Sequence, residues 1–238
     1  MDPGKALSAA KAVHGMLNGQ SAVESEHPTR PDGHRIALPD FEPPRVDMVA
    51  TLVQRRSHYT YADKPLQLDA LSTLFRFALG VQRFVQAYGV EDHPLGMAPS
   101  AGGLRCLTAY AIVTSAAGLA PGVYRYESVS HELVEVTQEP PAEELAKAYL
   151  QPEFAARAPV TLALTTRLDL AFAKYPLRHY RTLHVDAGIA VQNLYLIATA
   201  LKLAGCAVAG FDDNVLSELL KLPDAEIPTM LFAVGHAV

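Results

Sequence analysis

An α+β sandwich, a mixed sheet flanked by helices, is the fold class this sequence predicts, and three observations carry it. Short apolar runs of strand length alternate with helical patterns along most of the 238 residues. Two of those runs are joined as a hairpin and others are separated by helices, so strands of both kinds are expected. Residues 186–204 present Ile189, Val191, Leu194, Tyr195, Ile197, Leu201 and Leu203 with almost no polar face, the pattern of a helix buried on all sides.

In chain order, the N-terminus reads as a weak Ala-rich helix, and 18–45 as a polar arm rich in proline and glycine that wraps the domain surface. Residues 1–45 are therefore set apart as helix and arm, and 46–238 as one domain. From Val46, "VDMVATLVQRRS" is helical, with Met48, Leu52 and Val53 on one face. A second helix covers about 68–80, with Asp69 near its start and Gly80 at its end. Strand "CLTAYAIVTS" (106–115) follows, then a hairpin of "GVYRYES" and "ELVEVT" turning at Ser128–His131. Residues 142–150 read as helix and 158–167 as a core strand. Asp186 is expected to cap the apolar helix, which runs to about Ala204 with Gly205 ending it. "CAVAGF" (206–211) is a strand, Asp212 or Asp213 caps a short helix to Leu222, and "PTMLFAVG" (228–235) is the last strand.

Composition bounds the function. Charged residues make up only 19%, low for an ordinary surface, so another subunit is expected to cover part of it. A net charge of −5 without long basic runs argues against nucleic acid as the main partner. The N-terminus lacks the apolar core of a signal peptide, and Gln192, Asn193 and Lys202 interrupt the apolar stretch 187–211, so no membrane span is expected. Cys106 and Cys206 lie apart, without metal spacing, and read as reduced core residues of a cytoplasmic protein. No Gly-x-Gly-x-x-Gly, Walker loop, Gly-x-Ser-x-Gly or His-Glu-x-x-His occurs. His179 and His184 are five apart and share no helix face, so no metal site is expected.

Four stretches carry candidate chemistry. In "RRSHYTY", Arg55 and Arg56 either meet a helix C-terminal dipole, or Arg55 and Ser57 present a fork and a hydroxyl to one phosphate. "PSAGG" is either a plain turn, or a loop whose small residues Pro99, Ser100, Ala101 and Gly102 admit a flat ligand close to the backbone. Ser100 has no histidine beside it in sequence to act as its base. In "AGFDD", an aspartate caps, and the Ala209-Gly210 backbone precedes it, free to face a ligand. "AKYPLRHYRTLHVDAG" is a solvated loop, a phosphate clamp or an acid/base site, with Lys174, Tyr175, Arg178 and Arg181 as its reactive groups.

These pieces, in this order, resemble the nitroreductase-fold flavoproteins, and more narrowly the SagB-type azoline dehydrogenases. The resemblance runs from Arg35 to His236 through Arg55-Arg56-Ser57, Pro99 to Gly102, and Lys174-Tyr175 with Arg178 and Arg181. It continues through Asp186-Ala187-Gly188, Gln192-Asn193-Leu194, Gly210-Phe211-Asp212 and a terminal Val-Gly-His. It implies a nitroreductase-like α+β homodimer with FMN at the subunit interface. Arg55, Arg56 and Ser57 would hold its phosphate end, and Pro99, Ser100, Ala101 and Gly102 would line it. Ala209 and Gly210 would approach the ring, with the Gly210 N–H facing flavin N5. The implied activity oxidises thiazolines or oxazolines to azoles on a peptide or carrier-protein-bound intermediate, a hydride passing to N5 and a proton to Lys174 or Tyr175, with O2 as reoxidant. Burial is expected to lower the lysine's pKa so that the pair works near neutral pH. Arg178 and Arg181 would orient that loop or meet the substrate. A synthetase or cyclodehydratase is the implied partner.

This chain departs from the family pattern at Tyr59, at Leu104-Arg105, at Pro176, which stiffens the catalytic loop, and at Val238, where a basic extension of some nitroreductases is lacking. The alternatives are an NAD(P)H-dependent nitro or enone reductase and a non-catalytic scaffold on the same fold.

Overall fold

The computed structural model describes residues 3–17, 32–40 and 42–238. Most of the expected arm, 18–31, lies outside them. In chain order the elements are α1 (Pro3–Met16), β1 (Arg35–Ala37), α2 (Met48–Gln54), β2 (Leu66–Gln67) and α3 (Leu68–Leu74), which runs into a π-helical turn over Phe75–Leu79. Next come β3 (Val81–Ala87), β4 (Val90–Gly96), β5 (Leu107–Val113), β6 (Ala116–Ala117), β7 (Gly122–Glu127), β8 (Glu132–Thr137) and α4 (Ala142–Ala148). The chain closes with β9 (Val160–Arg167), α5 (Leu168–Phe172), α6 (His179–Ala200), β10 (Leu203–Val208), α7 (Asp213–Leu219) and β11 (Glu226–His236).

A seven-stranded sheet in the order β1-β8-β7-β5-β9-β11-β10 is the centre of the molecule. Both pairing senses occur, but they are segregated. The ladders of the large sheet are antiparallel, and the parallel pair is the short β2–β6 ladder beside it. Strand alternation sends successive side chains to opposite faces. Ala109, Ala111 and Val113 of β5, with Phe232 and Val234 of β11, pack against Leu71 and Leu74 of α3, Phe75 of the π-helical turn, and Ala190, Val191 and Leu194 of α6. Tyr110, Ile112, Leu231 and Ala233 face the other way, against Leu145 of α4 and Leu216 of α7. Burial on both faces is why these strands read as continuous apolar runs. Arg35–Ala37, from the segment read as an arm, forms the edge strand on β8.

Caps set several boundaries. Asp47 accepts from the Ala50 N–H at 2.7 Å at the start of α2, and Asp212 accepts from Asn214 and Val215 at 2.9 and 3.1 Å at the start of α7. Two expectations are corrected, and one hairpin is added. Asp186 does not cap α6, which begins at His179, after Pro176 has closed a turn through the His179 N–H to Pro176 C=O bond of 2.9 Å. The basic and aromatic residues of 179–185 hid this start, because Arg181, His184 and Val185 face solvent while His179, Leu183 and Asp186 point inward. Gly205 does not end the helix: Lys202, at φ 59°, reverses the chain, and Gly205 lies within β10. Finally, the β3–β4 hairpin, turning at Tyr88-Gly89 with φ 54° and 75°, was not foreseen.

α2 exposes the apolar face read from sequence. Met48, Val49, Leu52 and Val53 are 62, 67, 48 and 68% accessible in the single chain. Among the described residues, no helix is long and apolar enough to cross a membrane.

Candidate active site

The sequence-derived residues form two groups, one at each edge of the buried face of α6. The first gathers where α2 ends. Arg55 holds its guanidinium over the Tyr195 ring, 5.1 Å from the centroid. Ser57 Oγ and the Tyr195 hydroxyl share a 2.9 Å hydrogen bond, and the same hydroxyl accepts from the Ala207 N–H at 2.8 Å. His58 continues the docking, its N–H donating to the Gly205 carbonyl at 3.0 Å. Arg56 turns back onto its own helix end, donating to the Val53 and Arg55 carbonyls at 2.6 and 2.8 Å. Ala209 and Gly210 follow β10, and the Gly210 carbonyl accepts from the Leu150 N–H at 3.0 Å.

The second group is built on the 99–103 loop. The Asp186 carboxylate accepts from the Ala101 N–H at 3.0 Å, so the residue expected to cap a helix instead ties this loop to α6. Gly102 and Gly103 adopt φ 63° and 64°, and a Cβ on Gly102 would run into the Tyr175 hydroxyl. The glycine therefore does two things: it supplies a left-handed turn and it admits the phenol. The Gly102 carbonyl accepts from the Tyr88 hydroxyl, and the Gly103 carbonyl accepts from His93 Nε2 at 2.8 Å, so the unforeseen hairpin holds the loop from its other side. A carbonyl can only accept, which fixes the proton of His93 on Nε2.

Lys174 and Tyr175 lie in the turn between α5 and α6. The Lys174 ammonium sits 3.8 Å from the Tyr88 ring centroid and 5.3 Å from that of Tyr175. It is exposed, and its pKa is raised, first by a hydrogen bond with Tyr88. This corrects the expectation that burial lowers it: the turn leaves the ammonium in water and gives it an aromatic partner. Below Tyr175, His179 stacks at 4.3 Å and 25°. Its Nε2 is buried without a hydrogen-bond partner among the described residues, and burial lowers its pKa. Burial likewise raises the pKa of Asp186, against the stabilising Ala101 N–H. Arg178 and Arg181 face solvent and make no ion pair among the described residues.

Asp186 and Tyr195 belong to the two groups and lie nine positions apart on α6. At 100° and 1.5 Å per residue they are about 180° and about 14 Å apart. One chain thus presents the groups on opposite sides of a helix. Behind the 99–103 loop a pocket of about 330 Å³ opens between the β3–β4 hairpin, β5 and β7. Tyr88, His93, His179 and Tyr195 were missed as site residues. Tyr88-Gly89 offers a turn glycine, but tyrosine is an unusual turn residue and neither flanking stretch alternates. Tyr195 gave a fainter one, a single hydroxyl in an apolar helix.

Residues 52–236 match the model of the nitroreductase family, and the chain belongs to that family, whose members are flavoprotein oxidoreductases. It is 36% identical over 208 residues to a Methanocaldococcus jannaschii protein described as a "putative nitroreductase", covering 87% of this chain and 98% of that one. A crystal structure from Anabaena variabilis with the same description superposes with a TM-score of 0.72 at 26% identity, over 87% of this chain. This chain spans only 42% of that protein's length. Two further structures share the fold alone. A Desulfovibrio desulfuricans protein of the same description, in complex with FMN, has a TM-score of 0.56 at 18% identity, covering 82% of this chain and 88% of its own. A chain of the Escherichia coli microcin synthetase McbBCD complex with truncated pro-MccB17 bound has a TM-score of 0.64 at 17% identity, covering all of this chain and 95% of its own.

Proposed function

We propose that two copies of this chain bind FMN between them and oxidise thiazoline or oxazoline rings to azoles on a peptide or carrier-protein-bound intermediate. The observation that carries the reading is the Tyr175 hydroxyl seated on Gly102 with the Lys174 ammonium beside it. That is a proton-handling pair next to a loop open to a flat ligand.

The residues fit a mononucleotide. The Arg55 guanidinium has no carboxylate partner among the described residues and stands over Tyr195 next to the Ser57 hydroxyl, a fork and a hydroxyl suited to a phosphate. Arg56, spent on helix carbonyls, holds the turn that presents them. Pro99 to Gly102 would line the ring and chain, and Ala209 and Gly210 would bring backbone N–H groups to the ring edge. Because the two groups lie on opposite sides of α6, one ligand would take one group from each chain. The apolar face of α2, adjoining Arg55, is the surface a second copy would cover. Residues 46–238 would form this domain, with 1–45 as a helix and arm whose Arg35–Ala37 adds an edge strand to the sheet.

When bound, the flavin supplies the two-electron acceptor for the hydride lost from the azoline ring, with molecular oxygen as final oxidant. The chain must then move the ring proton. Lys174, protonated and in contact with Tyr88, acts as a fixed positive charge, and the Tyr175 oxygen, in its phenolate form, takes the ring proton and passes it to water. His179 stacks the phenol in place. Occurrence of this fold in a synthetase complex supports a synthetase or cyclodehydratase as partner.

The test is to purify the protein, record its flavin spectrum and incubate it with a peptidyl or carrier-bound thiazoline. A 2-Da mass loss, abolished by Lys174→Ala or Tyr175→Phe, supports the proposal. Turnover unchanged in both variants would remove the pair from the mechanism. NADPH consumption with a nitroaromatic and none with thiazoline would make the protein a reductase, and a protein that stays colourless with FMN would make it a scaffold.

A further inference from the structure

The pocket behind the loop contains a residue whose conformation and environment are both unfavourable. Arg105 lines it with a left-handed backbone, φ 55°, that arginine rarely adopts, and with a partly buried guanidinium. Such strain persists where the surrounding structure enforces it, and it gathers at ligand sites. Desolvation is the leading influence on this guanidinium and works against its charge. Its hydrogen-bond partner is the Ser128 hydroxyl, and among the described residues no carboxylate lies in ion-pair range of it.

The carboxylates that share the lining are already engaged. Glu127, whose field still favours the Arg105 charge, accepts from Arg125 Nε at 2.9 Å. Asp186 accepts from the Ala101 N–H. Arg105 is thus a fork donor that lines a cavity, with N–H groups beyond the one given to the neighbouring Ser128 hydroxyl. Leu79, Leu104, Leu107 and Leu170 give the same cavity an apolar wall, and Pro99 and Ser100 form its boundary toward the loop that seats Tyr175. A volume of about 330 Å³ is at the small end for ligand pockets.

We propose that this pocket binds a free carboxylate of the substrate, paired with Arg105 and Ser128, while the apolar body lies against the leucines and the ring reaches the 99–102 loop. The inference rests on the azoline reading for the identity of the ring. It narrows the substrate class to azolines that bear an unblocked carboxylate, such as a peptide ending in the heterocycle, attached to any carrier through its other end.

The experiment measures binding of 2-phenylthiazole-4-carboxylate and of its methylamide to the FMN-loaded protein by calorimetry. These product-like probes need no turnover. The acid is expected to bind at least about tenfold more tightly than the amide, the scale of one lost charge-assisted hydrogen bond. Arg105→Asn should erase that preference and leave FMN retention unchanged, because asparagine tolerates the left-handed backbone. Arg105→Lys, which keeps the charge but not the fork, should retain only part of it. Equal binding of acid and amide, or no binding of the acid, overturns the proposal. So does loss of FMN in Arg105→Asn, which would assign the guanidinium to the cofactor phosphate. An Arg105-dependent preference for the acid without azoline turnover would sustain the pocket and sink the azoline reading. Turnover of 2-phenylthiazoline-4-carboxylate and of its methylamide alike, unaffected by Arg105→Asn, would do the reverse.

Discussion

Replacing Gly102 by alanine puts a methyl group where the Tyr175 hydroxyl now rests, and replacing Gly103 by alanine provides the matched control. Both glycines are left-handed, at φ 63° and 64°, so each substitution carries the same backbone penalty, roughly 1–2 kcal/mol. In a chain of this size that corresponds to a fall in Tm of about 2–8 °C. The contacts differ. On Gly102 the added carbon meets the Tyr175 hydroxyl, with the ring carbon Cζ at 3.3 Å and the Tyr88 hydroxyl at 3.2 Å. On Gly103 it meets Leu95 Cδ2 at 2.8 Å, a terminal methyl that can rotate away. Relief of the first clash needs the phenol to retreat by about 1 Å, a displacement that can lower a rate about a hundredfold when the moved group handles a reacting proton. Differential scanning fluorimetry and thiazoline turnover, with flavin occupancy measured on each sample, read both effects. The expected result is a similar Tm loss in the two variants, with kcat falling about 10- to 100-fold only in Gly102→Ala. Equal turnover in the two, with Tm lowered in both, would show that the position of the Tyr175 hydroxyl does not govern the chemistry.

Tyr195→Phe leaves the Ala207 N–H without an acceptor and frees Ser57, so it should cost about 1–3 kcal/mol of stability and several-fold in FMN retention, read by denaturant titration and flavin release. Tyr88→Phe removes the hydrogen bond that leads the upward shift of Lys174. The ammonium then deprotonates at lower pH, and the alkaline limb of the kcat/KM profile should move down accordingly. His131, His179 and His184 all have pKa values lowered by burial, so the unfolded chain takes up more protons below its ordinary histidine pKa of about 6.5. Stability should therefore be full above that pH and decline as pH falls toward about 5. His179→Phe, which keeps the stack on Tyr175 and deletes an unpartnered buried nitrogen, should make that decline shallower in a Tm-against-pH series without lowering Tm at pH 8.

The sheet was legible in sequence because its strands are buried on both faces. The runs of β5, β7, β9 and β11 are long, apolar and bounded by turn residues, and their positions fall within a few residues of the reading. The β3–β4 hairpin was not, because its strands are largely unburied and carry Gln, Arg, Glu and Asp, so hydrophobic patterning had little to register. The start of α6 was hidden for a related reason: its first two turns place only His179 and Leu183 inside. In the candidate site, the Arg-Arg-Ser turn and the Pro-Ser-Ala-Gly loop were recognisable as small-residue or cationic punctuation. Tyr88, Tyr195 and the loop-holding role of Asp186 depend on contacts 14, 138 and 85 residues apart in sequence, which periodicity does not encode.

The placement of Asp186 and Tyr195 across α6 bears on how defective copies behave in mixtures. If each catalytic centre borrows one half from each chain, a mixed pair of Arg55→Ala and Tyr175→Phe subunits concentrates both lesions in one centre and leaves the other wholly wild-type. Two preparations that are inactive alone would regain activity when dissociated and reassociated together. A chain carrying both lesions would instead spoil one half of each centre in every pair it joins, and so suppress its normal partner. Such complementation, or its absence, can be scored from mixtures without any knowledge of the natural substrate's full structure.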